Sequence, residues 1–339
     1  MGFEAFLGNR KNIERIQAKL RQGRFPHGLV FSGPDGIGKR TCAVMVAKAL
    51  NCTNAAAGEF CDSCAQCQKT DALTHPDVTY ITLEEDASDI KIAQIRELIR
   101  MLDFRPLEGR NKIVIVDPAS LLNPSASNAL LKALEEPPDN SYIILITDKL
   151  HALLPTIRSR CQPYAFTPLS LEDLRRFGSR DGNADELTLR WSRGSIGTYQ
   201  TLDSAALKSH REFILDFLET ALQATPEQFR ELLSVSKEVG GTKQDFSAHL
   251  EMIGVVIADL IYLRVGRTEQ VVNIDIRSRL DKLVGNIPME TLIRLSELLA
   301  EMERSLRSNV NRPILTEVLA LSMNRPLEKI LDDIPNRSR

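Results

Sequence analysis

The chain has 339 residues, 43 basic against 45 acidic side chains, a formal net charge of −2 and 43% apolar residues. That length makes room for two or three domains, and that apolar fraction excludes wholesale disorder. Near-neutral charge argues against a stand-alone nucleic-acid binder, which needs a strongly basic face to displace counterions; a local basic groove stays open. The longest apolar run, Met252 to Leu263, is too short to span a bilayer and contains Asp259, so it reads as a buried helix. The first residues, Met-Gly-Phe-Glu-Ala-Phe, lack an apolar signal core, and Phe6 stands where a myristoylation signal requires Ser or Thr. A cytoplasmic protein with no membrane partner is expected, its six cysteines reduced and serving as ligands or core residues.

Residues 1–166 alternate short β-branched or apolar runs with amphipathic stretches, the pattern of an α/β parallel sheet with helical crossovers. The first predicted strand is Gly28 to Ser32. Directly after it come Gly33-Pro-Asp-Gly36-Ile-Gly38-Lys39-Arg40-Thr41 and an Ala/Val-rich helix. Strand, glycine loop and helix start in that order make a phosphate-binding loop: backbone N–H groups around Gly33, Gly36 and Gly38 wrap the anion, the helix dipole favours it, and Lys39 supplies a point charge. The next position breaks the pattern. Ser or Thr should follow the lysine to ligate Mg²⁺, but Arg40 stands there, and Thr41 lies about 100° further round the helix.

Cys52, Cys61, Cys64 and Cys67 then fall within sixteen residues. The two Cys-x2-Cys steps suit turns that aim neighbouring sulfurs at one ion, and four thiolates match the closed tetrahedron of structural Zn²⁺. An iron–sulfur cluster is the rival, weakened by Asp71 in the slot where a ferredoxin pattern places its next cysteine. With no open coordination position, zinc here would fold a loop inserted behind the glycine-loop helix. Cys42 reads as core, and Cys161 lies outside the cluster.

Val78 to Leu83 is the next predicted strand, followed by a helix from Asp89 to Leu102 whose stripe is Ile92, Ile95, Ile99 and Leu102. Arg96 and Arg100 flank that stripe one turn apart and read as a solvated face, with phosphate contact the lesser alternative. The strand Ile113 to Val116 ends at Asp117, a candidate metal-side carboxylate, and Pro118 follows. A hydrolytic loop enzyme carries a glutamate there to polarise the attacking water, which proline cannot do. ATP can still bind at such a loop; hydrolysis by this chain alone is not expected. Glu135 and Glu136, which close a helix before Pro137, read as structural, as do His27 and His75. Tyr142 to Thr147 and Gln162 to Phe166 complete the predicted strands.

After Pro168 the strands stop. Leu171 to Phe177 reads as a short helix and Gly178 to Asp185 as a polar loop. From about Ala205 the pattern is helical, punctuated at Gly240-Gly241 and Gly285-Asn286. Trp191 reads as a core aromatic. Leu292, Leu295, Leu299, Met302 and Leu306 form one apolar stripe, core by default, and the tail from Asn336 to Arg339 is expected to fray.

Five segments occur in order: Arg24-Phe-Pro-His27, the loop Gly33 to Lys39, the four cysteines, Asn128-Ala-Leu-Leu-Lys-Ala-Leu-Glu-Glu-Pro-Pro138 and Thr156-Ile-Arg-Ser-Arg-Cys161. In that combination the chain resembles the delta-prime family of clamp-loader subunits of bacterial DNA polymerase III, within the AAA+ family. The likeness is dense to about residue 166 and thin beyond, with an echo at Asn309 to Leu319. It implies a RecA-like AAA+ domain over 1–166 carrying the zinc module, a helical lid over 167–204, and an all-α collar over 205–339 that holds five subunits in a ring. The stripe near Leu292 would then be partly interfacial. The implied partners are the ATPase subunits and the delta subunit of the loader and, through the complex, the sliding clamp and primed DNA.

The resemblance also implies that Arg160, in Ser159-Arg160-Cys161, projects as an arginine finger into the ATP site of the neighbouring subunit. A guanidinium stays charged and its planar fork grips phosphate oxygens; such a finger is worth about 10³–10⁵ in rate. ATP-hydrolysing relatives carry a lid arginine in a Gly-Ser-x-Arg context, whereas Gly194-Ser-Ile-Gly197 puts glycine there, with Arg193 a poor substitute. Arg40, Pro118 and Gly197 together remove three parts of an ATPase. The expected role is therefore an accessory subunit of a DNA polymerase holoenzyme that completes a neighbour's site. A self-sufficient ATPase with an unusual loop and a redox protein built on an iron–sulfur centre are the alternatives.

Overall fold

A computed structural model describes residues 2–55, 58–85, 87–182, 185–223, 229–305 and 311–324. The chain divides into two compact units, Met1–Ala184 with Ser192–Thr201, and Asp185–Trp191 with Leu202–Arg339.

The first unit runs α1 (Arg10–Arg21), β1 (Gly28–Ser32), α2 (Lys39–Asn51), α3 (Ala65–Asp71), β2 (Val78–Ile81), α4 (Ile92–Leu102), β3 (Lys112–Val116), α5 (Pro124–Glu135), β4 (Ser141–Thr147), α6 (Pro155–Arg160), β5 (Gln162–Ala165) and α7 (Leu171–Asp181). Next in the chain, α8 (Glu186–Trp191) packs in the second unit, while α9 (Ile196–Thr201) returns to the first. The stretch 167–204, expected as one lid, is thus shared between the two units.

The five strands are parallel, in the order β2-β3-β4-β1-β5. Leu29, Phe31, Ile113, Ile115, Ile144 and Ile146 pack on one face with Ile16 of α1 and Val46 of α2. Val30, Val114, Ile143 and Leu145 pack on the other with Ile95 and Leu98 of α4 and Leu130 of α5. Helices on both faces are why the strands read as unbroken apolar runs. Ser32 pairs with Thr147 and Ala165, and Val116 with Leu145, so Gly33, Asp117, Asp148 and Phe166 leave the sheet along one edge. Because β1 sits between β4 and β5, that edge holds the crevice where α/β sheets take ligands.

Several boundaries differ from the sequence reading: β2, expected to reach Leu83, ends at Ile81, β5 ends one residue early at Ala165, and two further differences have a visible local cause. The helix expected from Asp89 starts at Ile92, because Ile90 bridges to Leu122 and Asp89 accepts from Asn123 Nδ2 at 3.2 Å. The loop expected from Gly178 is instead helix through Asp181, stopped by Gly182 in the left-handed conformation (φ 74°), whose N–H caps the Gly178 carbonyl.

The second unit holds α8, α10 (Ser204–Gln223), α11 (Phe229–Val239), α12 (Lys243–Arg264), α13 (Arg277–Asn286), α14 (Met289–Ser305) and α15 (Arg312–Asn324). Gly240 and Gly241 separate α11 from α12 as expected, whereas Gly285 and Asn286 are the last turn of α13. Leu292, Leu295, Leu299 and Met302 are at most 5% exposed within the chain's own core, in line with the core reading of that stripe; Leu306 and Asn336 to Arg339 lie outside the described residues. Trp191 joins the same core. Among the described residues one helical stretch, Asp245–Arg264, is long and apolar enough to cross a membrane, and half of it is buried in the protein. Its Asp259 is fully buried and accepts from the Val272 and Asn273 N–H groups and Asn273 Nδ2 at 2.7–2.9 Å. Burial raises that carboxyl above the usual carboxylate range, and these hydrogen bonds offset part of the cost.

Candidate functional site

The glycine loop links the C-terminal end of β1 to the first turn of α2, the geometry that offers backbone N–H groups and a helix N-terminus to an anion. Lys39 is 5% exposed, its Nζ held at the loop by the carbonyls of Gly33 and Pro34, both at 2.5 Å. A cavity of about 450 Å³ opens alongside, lined in part by Gly36, Gly38, Lys39, Thr41, Asp117 and Phe6. That volume suits a small ligand. Phe6, weighed in the sequence only against a myristoylation signal, lies against Gly38 and makes an edge-on contact with Phe166 at 6.2 Å.

At the corner of this cavity, Arg40 Nε lies 3.7 Å from Asp117 Oδ2, and the guanidinium carbon is 5.9 Å from the centre of the Tyr80 ring. Burial raises the Asp117 carboxyl above its ordinary range, while the charges of Arg40 and Lys39 pull it part of the way back. Arg40, at the position where Ser or Thr is expected, therefore brings its own cation to Asp117.

Gly197 packs directly on the loop. Its N–H donates to the Gly36 carbonyl at 3.0 Å, and a Cβ built on it would stand 2.9 Å from Gly36 Cα. Gly36 has φ 70°, and a Cβ there would meet Ser195 Oγ at 2.2 Å. Glycine at 197 is thus required by a backbone-on-backbone approach, beyond the loss of an arginine. Gly197→Arg is expected to lower stability by about 1–3 kcal/mol in urea unfolding without creating ATPase activity. An unchanged midpoint would show that α9 moves off the loop freely.

The four cysteine sulfurs lie within 4.8 Å of one another. Cys52 Sγ is 3.5 Å from Cys61 Sγ and 3.9 Å from Cys64 Sγ; a tetrahedron with Zn–S of about 2.3 Å has edges of about 3.8 Å. Cys52 caps the end of α2, Cys64 the start of α3, and Cys67 lies within α3, so two helix ends bring the sulfurs together. The Cys64 N–H donates to Cys61 Sγ at 3.3 Å. Burial raises the Cys64 thiol, but hydrogen bonds from the Cys67 and Thr53 segments outweigh it and bring the group down to about 5. Lys48 staples this module to α2 through Asp62 (2.8 Å) and Asp71 (2.5 Å). Cys42 and Cys161 are buried apart from the cluster.

Arg160 does not line the glycine-loop cavity. It ends α6, where its Nη2 donates to Glu135 Oε1 at 2.7 Å and its Nη1 to the Thr156 carbonyl at 3.0 Å. Glu135 therefore has a specific partner, which its place beside Glu136 did not reveal. His27 bonds the Ser141 carbonyl and stacks on Tyr142, and His75 is buried with its Nδ1 accepting from the Asp77 N–H, so both are structural. Arg96 and Arg100 lie on α4, Arg100 pairing with Glu97 at 3.4 Å.

Sheet order and glycine loop together define a phosphate-loop α/β unit with a four-cysteine module, joined to an all-helical unit. Residues 8–170 match the family model described as DNA polymerase III, delta subunit, and residues 205–324 the one described as its C-terminal part. The chain belongs to this family of DNA polymerase III subunits. It is 26% identical to the DNA polymerase III subunit delta' of Bacillus subtilis, over 92% of this chain and 94% of that protein. It is also 26% identical to the Escherichia coli delta' subunit, over 94% and 95%. The Pseudomonas aeruginosa delta' subunit is 36% identical over 58% of this chain, an alignment that spans 62% of that relative's length.

Proposed function

We propose that this chain is a non-hydrolysing subunit of a clamp-loader complex, one that completes the ATP site of an adjacent ATPase subunit with Arg160 and helps place the sliding clamp on primed DNA. Its other partners are the delta subunit and the remaining ATPase subunits of the ring, and its compartment is the cytoplasm. In this reading 1–166 is the AAA+ domain, 167–204 a lid whose residues 185–191 belong to the helical unit, and 205–339 the collar. The observation that carries it is the corner of the glycine loop: Arg40 faces Asp117 where a metal ligand belongs, and Pro118 stands where the water-polarising carboxylate would be. Gly33, Gly36, Gly38, Lys39, Thr41 and Asp117 can cradle ATP; no residue at this corner activates water.

Cys52, Cys61, Cys64 and Cys67 would hold a Zn²⁺ ion whose contribution is structural, since four thiolates leave no open position for chemistry. Sulfur spacing near the tetrahedral edge supports this assignment.

The purified chain is expected to release phosphate from ATP at background rate, with or without primed DNA, and Lys39→Ala to leave that rate unchanged. Turnover well above background that disappears in Lys39→Ala would overturn the proposal in favour of a self-sufficient ATPase.

A further inference from the structure

We propose that Glu135 is the positioning residue for Arg160, holding the guanidinium at one place on the domain surface so that it meets the neighbour's nucleotide in a single orientation. This deepens the reading of Arg160 as an arginine finger and rests on it.

Glu135 is the last residue of α5, where a negative charge opposes the helix dipole, so its own helix gives no reason for it. The reason lies across the fold. Leu134 beside it and Ile157 of α6 are buried in the same apolar cluster, which fixes the two helix ends against each other. Cys161 anchors the backbone just after Arg160, at 7% exposure. With main chain and helix ends set, the freedom left to Arg160 is in its long side chain, 36% exposed. Glu135 removes much of it: Oε1 accepts from Nη2 at 2.7 Å while the Thr156 carbonyl and Ser159 Oγ hold Nη1 at 3.0 and 3.4 Å. A guanidinium has five N–H donors, so donors remain for an incoming phosphate. Holding the fork in place before the anion arrives removes the ordering cost from the catalytic encounter.

The test uses the reconstituted complex containing this chain, measuring kcat and KM for ATP with primed DNA. Glu135→Ala is expected to lower kcat about tenfold with KM little changed. Glu135→Gln, which still presents an oxygen to Nη2, should stay within about threefold of the unaltered complex. In an Arg160→Ala background, Glu135→Ala should cost nothing further, whereas a merely structural role would persist there. The melting temperature of the isolated chain should move by no more than about 2 °C, as expected for an exposed ion pair. A Glu135→Ala complex within about twofold of normal, or an effect that survives removal of Arg160, would overturn the proposal. Should Arg160→Ala itself leave turnover intact, the finger reading falls first, and the two failures are told apart.

Discussion

Arg160→Ala should lower ATP turnover at the site it completes by about 10³-fold in the reconstituted complex, while the subunit folds and assembles normally. The fold is safe because Arg160 and Glu135 form a half-exposed pair on the surface, worth at most about 1 kcal/mol. The rate is vulnerable because a guanidinium brought to developing phosphate charge acts in the transition state. Arg160→Lys should recover little, since an ammonium cannot reproduce the planar fork. Gel filtration of the assembled complex and single-site turnover read the two halves of this expectation. Normal assembly with unchanged turnover would remove the finger assignment.

The second large effect concerns the cysteines. Cys61→Ser should take bound zinc from one ion per chain to a small fraction and lower the melting temperature by on the order of 10 °C. Cys61 is the informative position because it is only partly buried, so exchanging sulfur for oxygen disturbs little packing. A chelator should produce the same destabilisation in the unaltered chain and none in the variant. If the variant kept a full complement of zinc, the four-sulfur assignment would be wrong. A purified protein with visible absorption would point to an iron–sulfur centre instead.

What the sequence made legible was local. The glycine loop, the cysteine steps and the continuous apolar strands are written over a few consecutive residues, and each sits where its spacing placed it. What it hid was contact between distant segments. Nothing near Glu135 announces Arg160, and nothing near Gly197 announces that its backbone lies on Gly36. Asp77, which accepts the N–H groups of Leu107, Glu108 and Gly109 at 2.7–2.8 Å, is likewise unremarkable in its own neighbourhood. The late start of α4 has the same origin, since the partner that draws Ile90 away is Leu122. The stripe Leu292 to Met302 is core, as its default reading has it, but periodicity alone identifies an apolar face without saying whether the chain itself or another subunit covers it.

The sixteen residues that bear the four sulfurs also order events in the life of the chain. Closing so short a loop costs little entropy, whereas setting β5 beside β1 joins segments more than a hundred residues apart. During synthesis the thiols leave the ribosome well before β3, β4 and β5 exist, so a metal ion can be captured while the sheet is still half made. On the proposed zinc assignment, a shortage of that metal during synthesis would leave the module open while the sheet is still forming.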